Sequence, residues 1–381
     1  MKKVRVLQIM EPIEGGTLSH LRQIVRLLDR EKFSVSVIGS PLRNETSGAE
    51  LEAMRPMLDE LHIVPMVRNV SPLRDASCFA RIREILKSGS YDVVHTHSSK
   101  AGFLGRFAAK TTGIPLVVHT PHVFPFSQNV SPSSRRLYRQ LESIASSWCD
   151  AMILLTEFQR QLAVSEIACD PAKLRVIPNG VDGEELKGGK SRNDARRDLG
   201  LTGVTIAVLS AGRFFPQKGF PHLIRAAARV RKKNPNVVFL LAGDGPERKS
   251  LESLAAGQGL GNGFRFLGHV PEMPSLYRAA DIVAIPSLWE GMPYVLLEAL
   301  YFGKPVVVSN VCGTDEIIAD DGAGLLVPPG SEDALAEAIE KLAESPDMRE
   351  RLGKTGLEIS AGYDAKMSVR EIEKLYLKGL V

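Results

Sequence analysis

Residues 4–17 run Val4-Arg5-Val6-Leu7-Gln8-Ile9-Met10-Glu11-Pro12-Ile13-Glu14-Gly15-Gly16-Thr17, and from Leu18 to Leu28 apolar residues recur three and four apart. A β-rich run that breaks at a glycine pair into a helical period is the strand-turn-helix unit of a parallel sheet. The unit repeats along the chain. Apolar runs fall at Val35 to Ile38, Val93 to His95, Leu116 to His119, Met152 to Leu155 and Arg175 to Ile177. A second series falls at Ile206 to Ser210, Val237 to Ala242, Phe264 to Leu267, Ile282 to Ile285 and Val306 to Ser309. Helical periods at Leu223 to Lys232, Asp333 to Ala343 and Asp364 to Leu380 complete an α/β protein with two doubly wound parallel sheets.

The length of 381 residues suits two such domains, each able to bury its own core. Between the two series, Gly188-Gly189-Lys190-Ser191-Arg192-Asn193 is polar and rich in turn formers, which places a linker there. The expected division is residues 1–183, residues 184–361 and a closing helix over 362–381. Open parallel sheets bind ligands beyond the carboxyl ends of their strands. Two of them facing each other would form an interdomain cleft, so the loops that follow strands are the places to look.

Composition removes several classes. With 44% hydrophobic and 24% charged residues the chain is not disordered, and Cys78, Cys149, Cys169 and Cys312 lie too far apart for a C-x-x-C pair, so buried thiols in a reducing cytoplasm are expected. Arg5 interrupts an N-terminal apolar run already too short for a signal sequence, and no run reaches the ~20 apolar residues of a spanning helix. Residues 1–183 hold 23 Lys and Arg against 18 Asp and Glu, and the remainder holds 25 against 26. That excess is too diffuse for a nucleic-acid partner. Arg135, Arg136 and Arg139, interleaved with Leu137, Tyr138 and Leu141, read either as a solvated helix face or as a basic amphipathic contact with a membrane surface.

Several post-strand loops carry residues suited to an anionic ligand. Gly15 and Gly16 precede a helix whose N-terminus offers backbone N–H groups to a phosphate. Gly212-Arg213, with Lys218 five residues on, places two cations on one loop, and together they suit a diphosphate. Gly243-Asp244-Gly245 is a fragment of a dinucleotide fingerprint, with Arg248 where the third glycine would stand. Glu290 and Glu298 flank Gly291-Met292-Pro293-Tyr294; a helix starting near Pro293 would leave Glu290 in the loop and carry Glu298 inside, two acceptors for sugar or ribose hydroxyls. Histidines gather at His95, His97, His119 and His122. His95-Thr96-His97 has strand spacing that could ligate zinc, but no matching Cys or carboxylate set accompanies it, so no metal is expected. His122 is the better substrate contact, and His95 and His119 read as core. No D-x-D occurs, so protein cations rather than a metal ion would stabilise a departing diphosphate.

Taken in order, Gly15-Gly16-Thr17, His97-Ser98-Ser99-Lys100-Ala101-Gly102, Thr120-Pro121-His122, Val176 to Asp182, Gly212-Arg213 with Lys218, Gly243-Asp244-Gly245 and the E-x7-E pair Glu290 and Glu298 span nearly the whole chain. In these the chain resembles the retaining glycosyltransferases of family four, which have the GT-B architecture of two Rossmann-like domains. The resemblance implies a nucleotide-diphosphate-sugar donor, with uridine the habitual base. It puts Arg213 and Lys218 on the diphosphate, Glu298 on the ribose and Glu290 on the sugar. Gly16 would back the phosphate, His122 would touch the sugar, and Gly212, Asp244 and the amides of Gly291, Met292 and Tyr294 would complete the donor site. Val123 stands where the family often has Gly.

The reaction implied is glycosyl transfer with retained configuration, the leaving phosphate helping to take the acceptor's proton. The nucleotide sugar is a substrate, and neither cofactor nor metal is required. The acceptor would be a saccharide or lipid-linked saccharide in polysaccharide or envelope-glycan assembly, selected near His97, Ser98 and Lys100. The setting would be cytoplasmic, peripheral to the cell membrane if the basic helix docks there. A sugar-nucleotide epimerase of the same fold, or a non-catalytic nucleotide-sugar binder, are the alternatives.

Overall fold

The computed structural model describes residues 2–318 and 322–380. The chain divides into two units, Met1–Asn179 with Ala365–Val381, and Gly180–Asp364. Gly188 to Asn193 folds into the second unit: the Lys190 N–H donates to Ser275 Oγ at 2.7 Å, and Arg278 donates to the Gly188 carbonyl at 2.5 Å. The crossing falls instead at Asn179–Gly180. A polar, glycine-rich segment is thus held by side chains that reach its backbone groups, which composition does not reveal.

In the first unit the strands are β1 (Val4–Met10), β2 (Phe33–Gly39), β3 (Glu60–Ile63), β4 (Val93–His97), β5 (Leu116–Thr120), β6 (Ala151–Leu154) and β7 (Leu174–Val176). They form one parallel sheet in the order β3-β2-β1-β4-β5-β6-β7. In the second unit β8 (Ile206–Ala211), β9 (Val237–Ala242), β10 (Phe264–Gly268), β11 (Ile282–Ile285), β12 (Val306–Ser309) and β13 (Gly324–Val327) form a parallel sheet in the order β10-β9-β8-β11-β12-β13. Neither β3 nor β13, four residues each, is among the runs expected above: edge strand β3, Glu60-Leu61-His62-Ile63, holds no apolar run, whereas β13, Gly324-Leu325-Leu326-Val327, does.

Strand alternation sorts the first unit's core onto two faces. Leu7 and Ile9 of β1 pack with Val94, Val117 and the helix Ser99–Thr112, whereas Val6 and Met10 pack with Val93, Val118 and the helix Gly15–Leu27. The closing helix Ala365–Gly379 adds Val369, Ile372 and Tyr376 to this second face. Because Gln8, His95 and His97 share its parity, they form a buried polar line under Tyr376.

In each sheet the strand order reverses beside the first strand of the series, between β1 and β4 and between β8 and β11. Connections from these neighbouring strands leave in opposite directions, which opens a crevice at their carboxyl ends.

Candidate active site

At the second unit's reversal, the loops after β8 and β11 are fastened together through backbone. Gly219, at φ +65°, lies so close to the Pro286 carbonyl that a Cβ would overlap it, and the Leu288 N–H donates to the Gln217 carbonyl at 2.7 Å. That approach brings Lys218 to Glu290. Lys218 Nζ lies 2.6 Å from Glu290 Oε1, which also accepts from Ser287 Oγ at 2.8 Å, and Gln217 Nε2 donates to Glu290 Oε2 at 3.1 Å. Glu290 is 6% exposed, so its charge is held out of water by three donors, one of them cationic. The Lys218 stem lies against Gly212, where a side chain would crowd it.

Arg213, next in line, stacks its guanidinium over the Phe215 ring at 4.0 Å, and burial lowers it to about 10, so it stays cationic at neutral pH. The helix predicted near Pro293 runs Tyr294–Tyr301, with Glu290 in the loop before it and Glu298 within it. Gly291, Met292 and Tyr294 are buried. Glu298 accepts from the Tyr277 hydroxyl at 2.6 Å, and burial raises its carboxyl above the usual range against the lowering effect of that bond. Asp244 is placed differently. Its carboxylate accepts the Gly245 N–H at 2.7 Å and pairs with Arg248 at 2.8 Å, so both oxygens are engaged within its own turn. Gly243, φ +132°, serves that turn by close approach to the Gly212 carbonyl.

At the first unit's reversal, Gly15 and Gly16 are exposed at the start of the helix Gly15–Leu27, with open space beside Gly15. Thr17 Oγ1 donates to the Pro12 and Glu14 carbonyls, each at 2.7 Å, and so closes the turn. The histidines behave in two ways. His95 is satisfied on both sides: the Tyr376 hydroxyl lies 2.7 Å from Nδ1 and Thr120 Oγ1 2.8 Å from Nε2. His119 lies on the opposite face, where Nδ1 meets Thr96 Oγ1 at 2.9 Å and Nε2 is buried with no hydrogen-bond partner.

His97 and His122 meet at the strand ends with His20. His97 Nδ1 is 3.3 Å from His122 Nε2, and the His20 ring stands edge-on to both at centroid distances of 5.5 and 4.9 Å. His122 adopts φ +57°, a left-handed backbone that a non-glycine residue holds only where its surroundings impose it. Burial keeps these imidazoles neutral, His20 being lowered to about 4 and His97 and His122 well below their ordinary value. Ser98 sits at φ +59°, its N–H donating to the Thr120 carbonyl at 3.0 Å, and Lys100 pairs with Asp75 at 2.6 Å.

Sequence reasoning missed His20, Gln217, Ser287, Tyr277 and Tyr376. His20 had a signal, since it follows Gly16 by four residues and shares a helix face with it. Tyr376 had none, because its partners lie 281 and 368 residues away in sequence. Burial pushes the Cys149 and Cys312 thiols up to about 11, so neither is poised as a thiolate nucleophile.

Two parallel sheets with this strand order define a GT-B protein. Sucrose-phosphate synthase from Thermosynechococcus elongatus shares the fold with a TM-score of 0.83 at 22% identity over 99% of each chain. HepE from Anabaena, solved with UDP and glucose, does so at 0.83 and 22% over 98% of this chain and 100% of that one. Within that class, residues 14–185 match Glycosyltransferase Family 4 and residues 191–358 match Glycosyl transferases group 1. A UDP-Gal:alpha-D-GlcNAc-diphosphoundecaprenol alpha-1,3-galactosyltransferase from Escherichia coli is 30% identical over 100% of this chain and 97% of its own length. The chain therefore belongs to the family-four glycosyltransferases.

Proposed function

We propose that this glycosyltransferase moves a sugar from a nucleotide-diphosphate donor, a UDP-sugar, to a saccharide or lipid-linked saccharide, with retention of anomeric configuration and without a metal ion at the diphosphate. The observation that carries the reading is the Lys218 and Glu290 pair at the second unit's strand reversal, with Arg213 on the same loop. Two cations supply the charge that a leaving nucleoside diphosphate develops. Glu290 holds Lys218 in place, and its Oε2, with a single donor, keeps a lone pair for a sugar hydroxyl. Glu298 takes the ribose, the amides of Gly291, Met292 and Tyr294 back the phosphates, and Gly16 and His122 meet phosphate and sugar. The Escherichia coli relative is named for UDP-Gal and a lipid-diphosphate acceptor, and HepE holds UDP and glucose, which supports the uridine donor and the lipid-linked acceptor.

No helix among the described residues is long and apolar enough to cross a membrane. Contact with a lipid-linked acceptor is assigned to the helix Pro132–Ser146, where Leu137 and Ile144 are 51% and 54% exposed beside Arg135 and Arg136, on the cytoplasmic side. Arg139 is taken up by Glu166 at 3.0 Å and contributes less to that face.

Thermal shift against a panel of nucleoside diphosphates and nucleotide sugars tests the donor site, first in chelator and then with magnesium. Uridine nucleotides are expected to stabilise the wild type without metal, and Glu298→Gln is expected to lose most of that gain. Stabilisation by no nucleotide in the wild type overturns the reading.

A further inference from the structure

Three buried imidazoles converge in the first unit. One ring nitrogen from each of His20, His97 and His122 lies within 4.8 Å of the other two. For His20 and His97, hydrogen bonds fix which nitrogen carries the lone pair. Gln8 donates its amide N–H to the Tyr376 hydroxyl at 3.0 Å, which aims its carbonyl Oε1 at His97 Nε2, 2.7 Å away. His97 therefore holds its proton on Nε2 and leaves Nδ1 bare. His20 Nδ1 lies 3.1 Å from Asn179 Oδ1, so its proton sits there and Nε2 is bare. His20 Nε2 is buried with no hydrogen-bond partner.

An unmatched lone pair in a buried site is costly unless something accepts it. A proton from His122 Nε2 can satisfy His97 Nδ1, but nothing on these three rings satisfies His20 Nε2 at the same time. A cation at their centre satisfies all three. Zinc bonds imidazole nitrogen at about 2.0 to 2.1 Å, which in tetrahedral geometry spaces neighbouring ligand nitrogens about 3.3 Å apart. His97 Nδ1 and His122 Nε2 are already 3.3 Å apart. The outer contacts have the matching form, because metal-bound histidines give their other N–H to a carbonyl or carboxylate, as His20 does to Asn179 and His97 to Gln8. Burial holds the rings neutral, the form in which imidazole is a ligand.

We propose that His20 Nε2, His97 Nδ1 and His122 Nε2 form a binding site for one zinc-class divalent ion, with a fourth coordination position open. This goes beyond the transferase reading, which calls for no metal ion at the diphosphate. It shares His122 with the sugar contact, so a bound ion and that contact compete for one imidazole.

The test is titration of metal-stripped full-length protein with cobalt(II), read by visible absorption. Saturation at one equivalent, with the intense bands of tetrahedral cobalt and displacement by zinc, is the expected result. His122→Asn is the informative variant, because asparagine tolerates the left-handed backbone and so preserves the loop. It is expected to weaken cobalt binding about tenfold or more. His222→Gln, in the second unit, is expected to bind as the wild type does. Absence of saturable one-equivalent binding overturns the proposal, and so do bands of undiminished affinity in His122→Asn. The readout involves no glycosyl transfer, so failure here and failure of the donor site are seen separately.

Discussion

The two units share a strand order and a reversal point and differ in what each places there. The second puts charge at its reversal: Lys218 on Glu290, with Arg213 on the same loop. The first puts neutral rings there, His20, His97 and His122, aligned by amide and hydroxyl partners. Desolvation explains why both survive burial. A carboxylate at 6% exposure needs a cation and further donors, whereas a neutral imidazole needs only hydrogen bonds. One sheet architecture can thus hold an anion on one copy and present uncharged acceptors and donors on the other.

The largest expected effect breaks the second half of that contrast. Lys218→Met is expected to lower turnover by about 10²-fold or more, as loss of one preorganised donor does. Steady-state kinetics check it, and an unchanged kcat would make the pair a structural ion pair only. The next effect sharpens the first half. His20 is lowered from 6.5 to about 4, and His95, His97, His119 and His122 are also lowered by burial. The unfolded chain binds these protons more readily, so the stability they confer is complete above about pH 6.5 and is lost as pH falls toward 4. His20 alone contributes about 3 kcal/mol on this basis. In chelator, hydrogen exchange is expected to show the first unit losing protection before the second across that window. Equal acid sensitivity would contradict the contrast.

The strand-turn-helix units were legible because a buried parallel strand must be a nearly unbroken apolar run, and most runs read in the sequence are strands. Strand β3 was not, since Glu60-Leu61-His62-Ile63 holds no apolar run, whereas β13 carries a readable one, Leu325-Leu326-Val327, that the expected series omits. At the reversal of the second unit, Glu290 in the loop and Glu298 in the helix were readable because their spacing straddles Pro293, which fixes the helix start. The ring of donors around Glu290 was not, because Ser287 and Gln217 are ordinary loop residues until Gly219 lets one loop press on another. In the first unit, strand parity placed His95 and His97 on one face. What they bond to depends on Tyr376, which long-range folding alone delivers.

Tyr376 offers a smaller test of that network. Tyr376→Phe keeps the ring but removes the hydroxyl between Gln8 and His95, leaving both buried groups short of a partner. A loss of about 1 to 3 kcal/mol is expected from denaturant unfolding, with little change in uridine-nucleotide affinity, because the residues proposed for the diphosphate and ribose, Arg213, Lys218 and Glu298, belong to the second unit.

The smallest effect concerns Asp244, which the family resemblance places in the donor site. Its carboxylate is shared between the Gly245 N–H and Arg248 in an exposed turn, and these contacts hold it below the usual carboxylate range. An exposed pair of this kind contributes about 0.2 to 1 kcal/mol. If the turn is all that Asp244 maintains, Asp244→Ala shifts the dissociation constant for a uridine nucleotide by no more than about fivefold, measured by calorimetry. A loss comparable to that of Glu298→Gln would mean that Asp244 leaves Arg248 when the donor binds. The charged site would then extend from the loop after β8 to the loop after β9.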